Sequence, residues 1–86
     1  MRAYIRSRAE ELGYDYKRIV SKGRKRDLAY ARQLIMWEVK NLWPAVSFHE
    51  LGRMFGGRDH TTVLHAMRKM SALYVAGAIQ MPVRPT

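Results

Sequence analysis

Four consecutive residues, Asp59-His60-Thr61-Thr62, carry the groups that read base edges. A carboxylate accepts from cytosine N4, and an imidazole donates to guanine N7 or O6. A threonine sets its methyl on the thymine methyl and hydrogen-bonds as well. Arg58 precedes the four and Arg68-Lys69 follow, cations placed to flank a groove and touch phosphates. A second concentration of chemistry lies at residues 17–26, Lys-Arg-Ile-Val-Ser-Lys-Gly-Arg-Lys-Arg, with six basic residues in ten and no acid. Such a run suits tracking a phosphate backbone or entering a minor groove, and Gly23 within it permits close approach. The plainer readings are a solvated loop for the run, an N-cap for Asp59 and a satisfied helix terminus for Thr62.

Other chemistries are poorly served. Asp59-His60 has the residue types of acid–base catalysis, but no carboxylate cluster accompanies it, and the chain is expected not to be an enzyme. His60 and His65, five apart, lie about 140° around a helix from each other, so one face cannot present both to a metal. The chain has no cysteine, which removes disulfides, thiolate zinc sites and a thiol nucleophile. No Gly-x-x-x-x-Gly-Lys-Ser/Thr motif occurs, and a chain this short has no space for an ATPase core. No cofactor and no metal are expected.

The bulk figures agree with a polyanion partner. Sixteen Lys and Arg against seven Asp and Glu give a net charge of +9 on 86 residues, while a 48% hydrophobic content is enough to fold. No apolar run approaches the roughly 18 residues that cross a bilayer, and the N-terminus has no signal-peptide core. A cytoplasmic, nucleoid-associated protein is the expectation.

The elements that must position these groups are all helical. Ile5, Ala9 and Leu12 predict a first helix over 3–12, stopped by Gly13. Asp15 is placed to cap a brief second helix carrying Ile19 and Val20, and Asp27 a longer third one. Along that third helix Leu28, Ala31, Ile35, Val39 and Leu42 draw one apolar stripe, ended by Trp43-Pro44. Ser47-Phe48-His49-Glu50 is a capping box, with Val46 and Leu51 as its staple, and the helix behind it stops at Gly56-Gly57. Asp59 caps the last helix, whose stripe is Val63, Met67, Met70 and Tyr74. His49 reads as an exposed helix residue, and Met54, Met67 and Met70 as core. Two helices, about 47–55 and 59–76, joined by a Gly-containing turn make a helix-turn-helix whose second helix enters the major groove. The expected fold is an all-α bundle of five or six helices in a single domain over 1–86. Its core is 5–76, its basic loop 21–26, its helix-turn-helix 47–76 and its tail 77–86.

The run Gly56-Gly57-Arg58-Asp59-His60-Thr61-Thr62-Val63-Leu64-His65-Ala66 strongly resembles the signature of the C-terminal DNA-binding domain of bacterial DnaA replication initiators, a Trp-repressor-like fold. The likeness extends through Ser47, Glu50, Leu51, Gly52 and Phe55, to Arg32-Gln33 and to Lys22-Gly23-Arg24, covering about residues 5–72. It implies that Asp59, His60 and Thr61 read bases in a nine-base-pair box, that Thr62 meets the backbone and a thymine methyl, and that Arg24 enters the adjacent minor groove. It also implies phosphate contacts at Lys22, Arg26, Arg32, Gln33, Lys40, Arg58 and Lys69. The sequence departs from the family at Gly23, often basic there, and at His49, where the family often has Pro close to DNA. The loop into Ser47 is also about one residue longer.

The implied function is sequence-specific binding of double-stranded DNA at a DnaA-box-like site in the control of replication initiation, without ATPase activity. A replication or transcription protein as a further partner is left open, as is the oligomeric state. Met1 and the tail fit a stand-alone small protein, of phage or mobile-element origin, with a transcription regulator as the alternative role. A module docking an acidic protein is the alternative of another class, and Trp37, Trp43 and Tyr74 forming one exposed patch would mark it.

Overall fold

A computed structural model describes residues 1–23 and 25–83. Five helices follow in order: α1 (Arg2–Glu11), α2 (Tyr16–Ile19), α3 (Arg26–Leu42), α4 (Phe48–Met54) and α5 (His60–Val75). No strand occurs among the described residues. The all-α expectation holds, and the helix count is the lower of the two expected. Among the described residues no helix is long and apolar enough to cross a membrane.

α3 is the axis of the bundle and packs against α1, α2 and α5. Its predicted stripe is buried from Leu28 to Val39, and Leu34, Met36 and Trp37 are buried as well, so the helix is enclosed on most of its circumference. Ile5 and Ala9 of α1, Ile19 of α2, Leu51 of α4 with Phe55 just beyond it, and Val63, Met67 and Met70 of α5 complete one core. Met54 packs at its edge, only partly buried. Tyr74 is 42% exposed: it ends the α5 stripe by lying against Trp37, ring centroids 5.7 Å apart.

α1 is tied to α3 through a buried acid. The Glu38 carboxylate accepts from Tyr4 Oη at 2.7 Å and from Arg8 Nε and Nη2 at 2.9 and 3.1 Å. Burial and the adjoining carboxylate raise the Tyr4 hydroxyl far above its ordinary value, so it stays a donor.

Two expected caps are corrected. Asp27 falls inside the first turn of α3, whose N-cap is Lys25, and there its charge complements the helix dipole. Asp15 does occupy the N-cap of α2 but makes no side-chain bond to it. The other two caps form as expected: Ser47 Oγ accepts from Glu50 N at 3.0 Å, and Asp59 Oδ1 accepts from Thr62 N at 2.8 Å. Trp43, before Pro44, leaves helical geometry with φ −128° and ψ 74°, which ends α3.

Candidate nucleic-acid interface

α4 and α5 make the expected helix-turn-helix, and its tightness has a local cause. Gly52 is buried within α4, and a Cβ there would collide with the Arg58 carbonyl oxygen. Without it α4 lies directly on the turn, and Arg58 N donates to Gly52 O at 2.9 Å. Gly56, at φ +89°, reverses the chain out of α4 in a conformation that residues with a Cβ rarely adopt.

The turn delivers Asp59, His60, Thr61 and Thr62 to the start of α5, all four exposed, while Val63 immediately after them is fully buried. The core anchor thus abuts the exposed tetrad. One Asp59 oxygen caps Thr62 N, and that bond holds the carboxyl below its ordinary range. The Thr62 hydroxyl and the Thr61 amide also favour its ionised form, so Asp59 is a charged, exposed acceptor at the helix start. The His60 ring does not stand alone. It lies 4.5 Å, centroid to centroid, from the ring of His49 at the start of α4, tilted by 40°. His49 is exposed, as expected, but its partnership with His60 spans the turn and had no sequence signal.

The expected phosphate ligands divide into two groups. Lys22, Arg26 and Lys69 are exposed, and Lys69 Nζ rests 5.9 Å from the centroid of the Tyr30 ring. Lys40 is half-buried, and its Nζ donates to Pro44 O at 2.8 Å and Val46 O at 2.6 Å, tying the turn that leads into α4. Gln33 is half-buried, with a buried Oε1 that accepts no hydrogen bond.

Two of the arginines expected at phosphates, Arg32 and Arg58, turn inward. Arg32 is only 4% exposed, and its guanidinium is engaged by the end of α2 and the segment after it, donating to Ile19 O at 2.6 Å, Gly23 O at 3.1 Å and Arg18 O at 3.3 Å. A side chain so enclosed holds this segment in place. Burial, with repulsion from Arg58, lowers Arg32 to about 10, still charged at neutral pH. Arg58 is half-buried, and donates from Nη2 to Ser21 O at 2.8 Å and from Nη1 to Phe55 O. Burial lowers it too. Arg24 lies outside the described residues. The basic run is thus more than a solvated loop, because its root is fastened to α3 and to the helix-turn-helix.

Among the described residues no group of three His, Asp or Glu is arranged to hold a metal. Trp37 is 3% exposed, with its indole Nε1 donating to Ser71 Oγ at 3.3 Å, so Trp37, Trp43 and Tyr74 do not make an exposed apolar patch.

Comparison with known proteins agrees with this geometry. The model of a family described as the bacterial DnaA protein helix-turn-helix matches residues 5–70. The chromosomal replication initiator protein DnaA of Thermus thermophilus is 44% identical over 69 residues, covering 80% of this chain and 16% of that protein. The same protein in Caulobacter vibrioides is 48% identical over 65 residues, 76% of this chain and 13% of that one. In Sphingopyxis alaskensis it is 54% identical over 56 residues, 65% and 12%. The chain therefore spans about a sixth or less of the length of these relatives. A family match over residues 5–70, on a bundle whose α4 and α5 form a helix-turn-helix, places this chain in the bacterial DnaA helix-turn-helix family.

Proposed function

We propose that the chain binds double-stranded DNA sequence-specifically, at a DnaA-box-like site, and acts in the control of replication initiation. The observation that carries this is the Asp59–Thr62 tetrad, four exposed side chains at the start of α5 backed directly by buried Val63. That is where a recognition helix meets base edges. Asp59, His60 and Thr61 read bases in the major groove, and Thr62 meets the backbone and a thymine methyl. Lys22, Arg26 and Lys69 are exposed and supply the sequence-blind grip, with Arg24 assigned to the minor groove by its family position. No nucleotide-binding motif lies in these 86 residues, so ATP hydrolysis is not ascribed to them.

Selection from a random duplex library on the purified protein tests the reading. A nine-base-pair consensus is expected, with affinity falling by about 10³ or more between 50 and 200 mM salt. His60→Ala or Thr61→Ala costs on the order of 1–3 kcal/mol and relaxes specificity at one or two positions. Equal affinity for selected and scrambled duplexes overturns it.

A further inference from the structure

The α4–α5 turn and the root of the basic segment are fastened to each other across 37 residues of sequence. Arg58 reaches out of the turn to the Ser21 carbonyl while its other nitrogen holds Phe55 O at the end of α4. Gly56 sits so close to the Val20 carbonyl that a Cβ would collide with it. Arg32 grips the same segment from α3, through Arg18, Ile19 and Gly23. The carbonyls of four residues between 18 and 23 therefore end on two guanidinium groups, one from each side. Neither arginine has an acidic partner within 4 Å among the described residues; the ion pairs there are those of Arg8. An arginine on a DNA-binding surface would ordinarily be read as a phosphate ligand, yet this one has two of its donors committed to main-chain oxygens.

We propose that Arg58 is a positioning residue: it fixes the distance between the basic segment and the recognition helix, so that the two engage DNA as one rigid unit. This rests on the major- and minor-groove reading given above. Two contacting elements held at the right separation bind with a high effective concentration of the second once the first is seated, and loosening the joint loses that advantage without deleting a contact to DNA. A guanidinium suits the joint because its fork serves two acceptors at once, which an ammonium on a flexible stem cannot do in the same geometry.

The test uses the duplex selected as above and compares wild type, Arg58→Met, Arg58→Lys, Lys22→Ala and the Arg58→Met, Lys22→Ala double variant. Affinity is measured against salt, and each complex is footprinted with hydroxyl radical for the minor groove and dimethyl sulfate for major-groove guanines. With Arg58 as a joint, Arg58→Met weakens binding about tenfold or more and flattens the salt slope by more than the roughly 0.9 of one phosphate contact. Minor-groove protection is lost and major-groove protection kept, Lys22→Ala adds little in the Arg58→Met background, and Arg58→Lys fails to rescue. Were Arg58 a plain phosphate ligand, the slope would change by about 0.9, both protections would persist, the Lys22 effect would add in full and Arg58→Lys would restore most of the affinity. That outcome overturns the inference. If Arg58→Met does not fold, Arg58→Lys with its footprint decides between the two. A wild type that protects neither groove overturns the parent reading instead, separately from any variant.

Discussion

The imidazole of His49 lies 4.5 Å from that of His60, so the first turns of α4 and α5 share an aromatic contact across the helix-turn-helix. A side chain that reads a base must arrive in one rotamer, and an exposed histidine on its own has several. The His49 ring removes part of that freedom before DNA arrives. Aromatic pairs contribute about 0.5–1.5 kcal/mol beyond their buried area, so His49→Ala is expected to lower affinity for the selected duplex about two- to tenfold. The loss should be confined to the base position that His60→Ala relaxes and should vanish in a His60→Ala background. A double-mutant cycle by fluorescence anisotropy measures it; additive effects would show that the two rings act separately.

The Glu38 carboxylate, 3% exposed, links α1 to the bundle through Tyr4 and Arg8. Glu38→Ala leaves three donor groups of two side chains facing the gap. Arg8 retains 26% of its side chain in solvent and can turn outward, so the cost falls below that of breaking a fully buried pair. A loss of about 1–3 kcal/mol by urea unfolding is expected, against about 1 kcal/mol for Tyr4→Phe.

Asp59 gives the fold an acid limit. Its carboxyl is held below its ordinary 3.8 mainly by the Thr62 amide it caps. Because the folded value is the lower one, ionised Asp59 stabilises the fold fully above the unfolded value, and that contribution disappears as pH falls through the folded value. Asp59→Asn keeps a capping oxygen without the charge. Melts followed by circular dichroism should therefore show wild type above Asp59→Asn at about pH 5–6, with the gap closing toward about pH 2. A gap that stays constant across this range would show that the charge is not what stabilises.

Gly13 and Gly56 share φ +89°, but a Cβ at Gly13 meets nothing within 4 Å, whereas one at Gly56 collides with the Val20 carbonyl. Gly13→Ala should cost about 1–2 kcal/mol, the left-handed backbone term alone. Gly56→Ala should cost a further 1–3 kcal/mol or so from the collision, and should weaken DNA binding as well. Equal unfolding midpoints for the two variants would contradict the close packing of the turn on the basic segment.

What was legible in the sequence was local. The caps at Ser47 and Asp59, the α3 and α5 stripes and the stop at Trp43-Pro44 all depend on residues within a turn or two, where spacing alone decides who meets whom. The start of α3 was misplaced by two residues because Asp27, a good cap by type, is equally good in a first turn. The site was legible as an inventory and less so as an arrangement. The tetrad lies where its spacing puts it, but the burial of Arg32 is not legible, because the carbonyls it satisfies belong to residues nine to fourteen positions earlier. The His49–His60 contact and the Arg58–Ser21 bond likewise exist only once α4 has packed on α5 and the turn between them has met the segment after α2. No periodicity encodes them.

Fastening the basic segment has one more effect, on its dipoles. Every peptide oxygen is the negative pole of its unit, and oxygens on the outer rim of a loop would push phosphates away. Those of Arg18, Ile19, Ser21 and Gly23 are bound to the two arginines. The segment is thereby screened from four of its own main-chain oxygens, and the ammonium of exposed Lys22 presents the sign that a phosphate seeks.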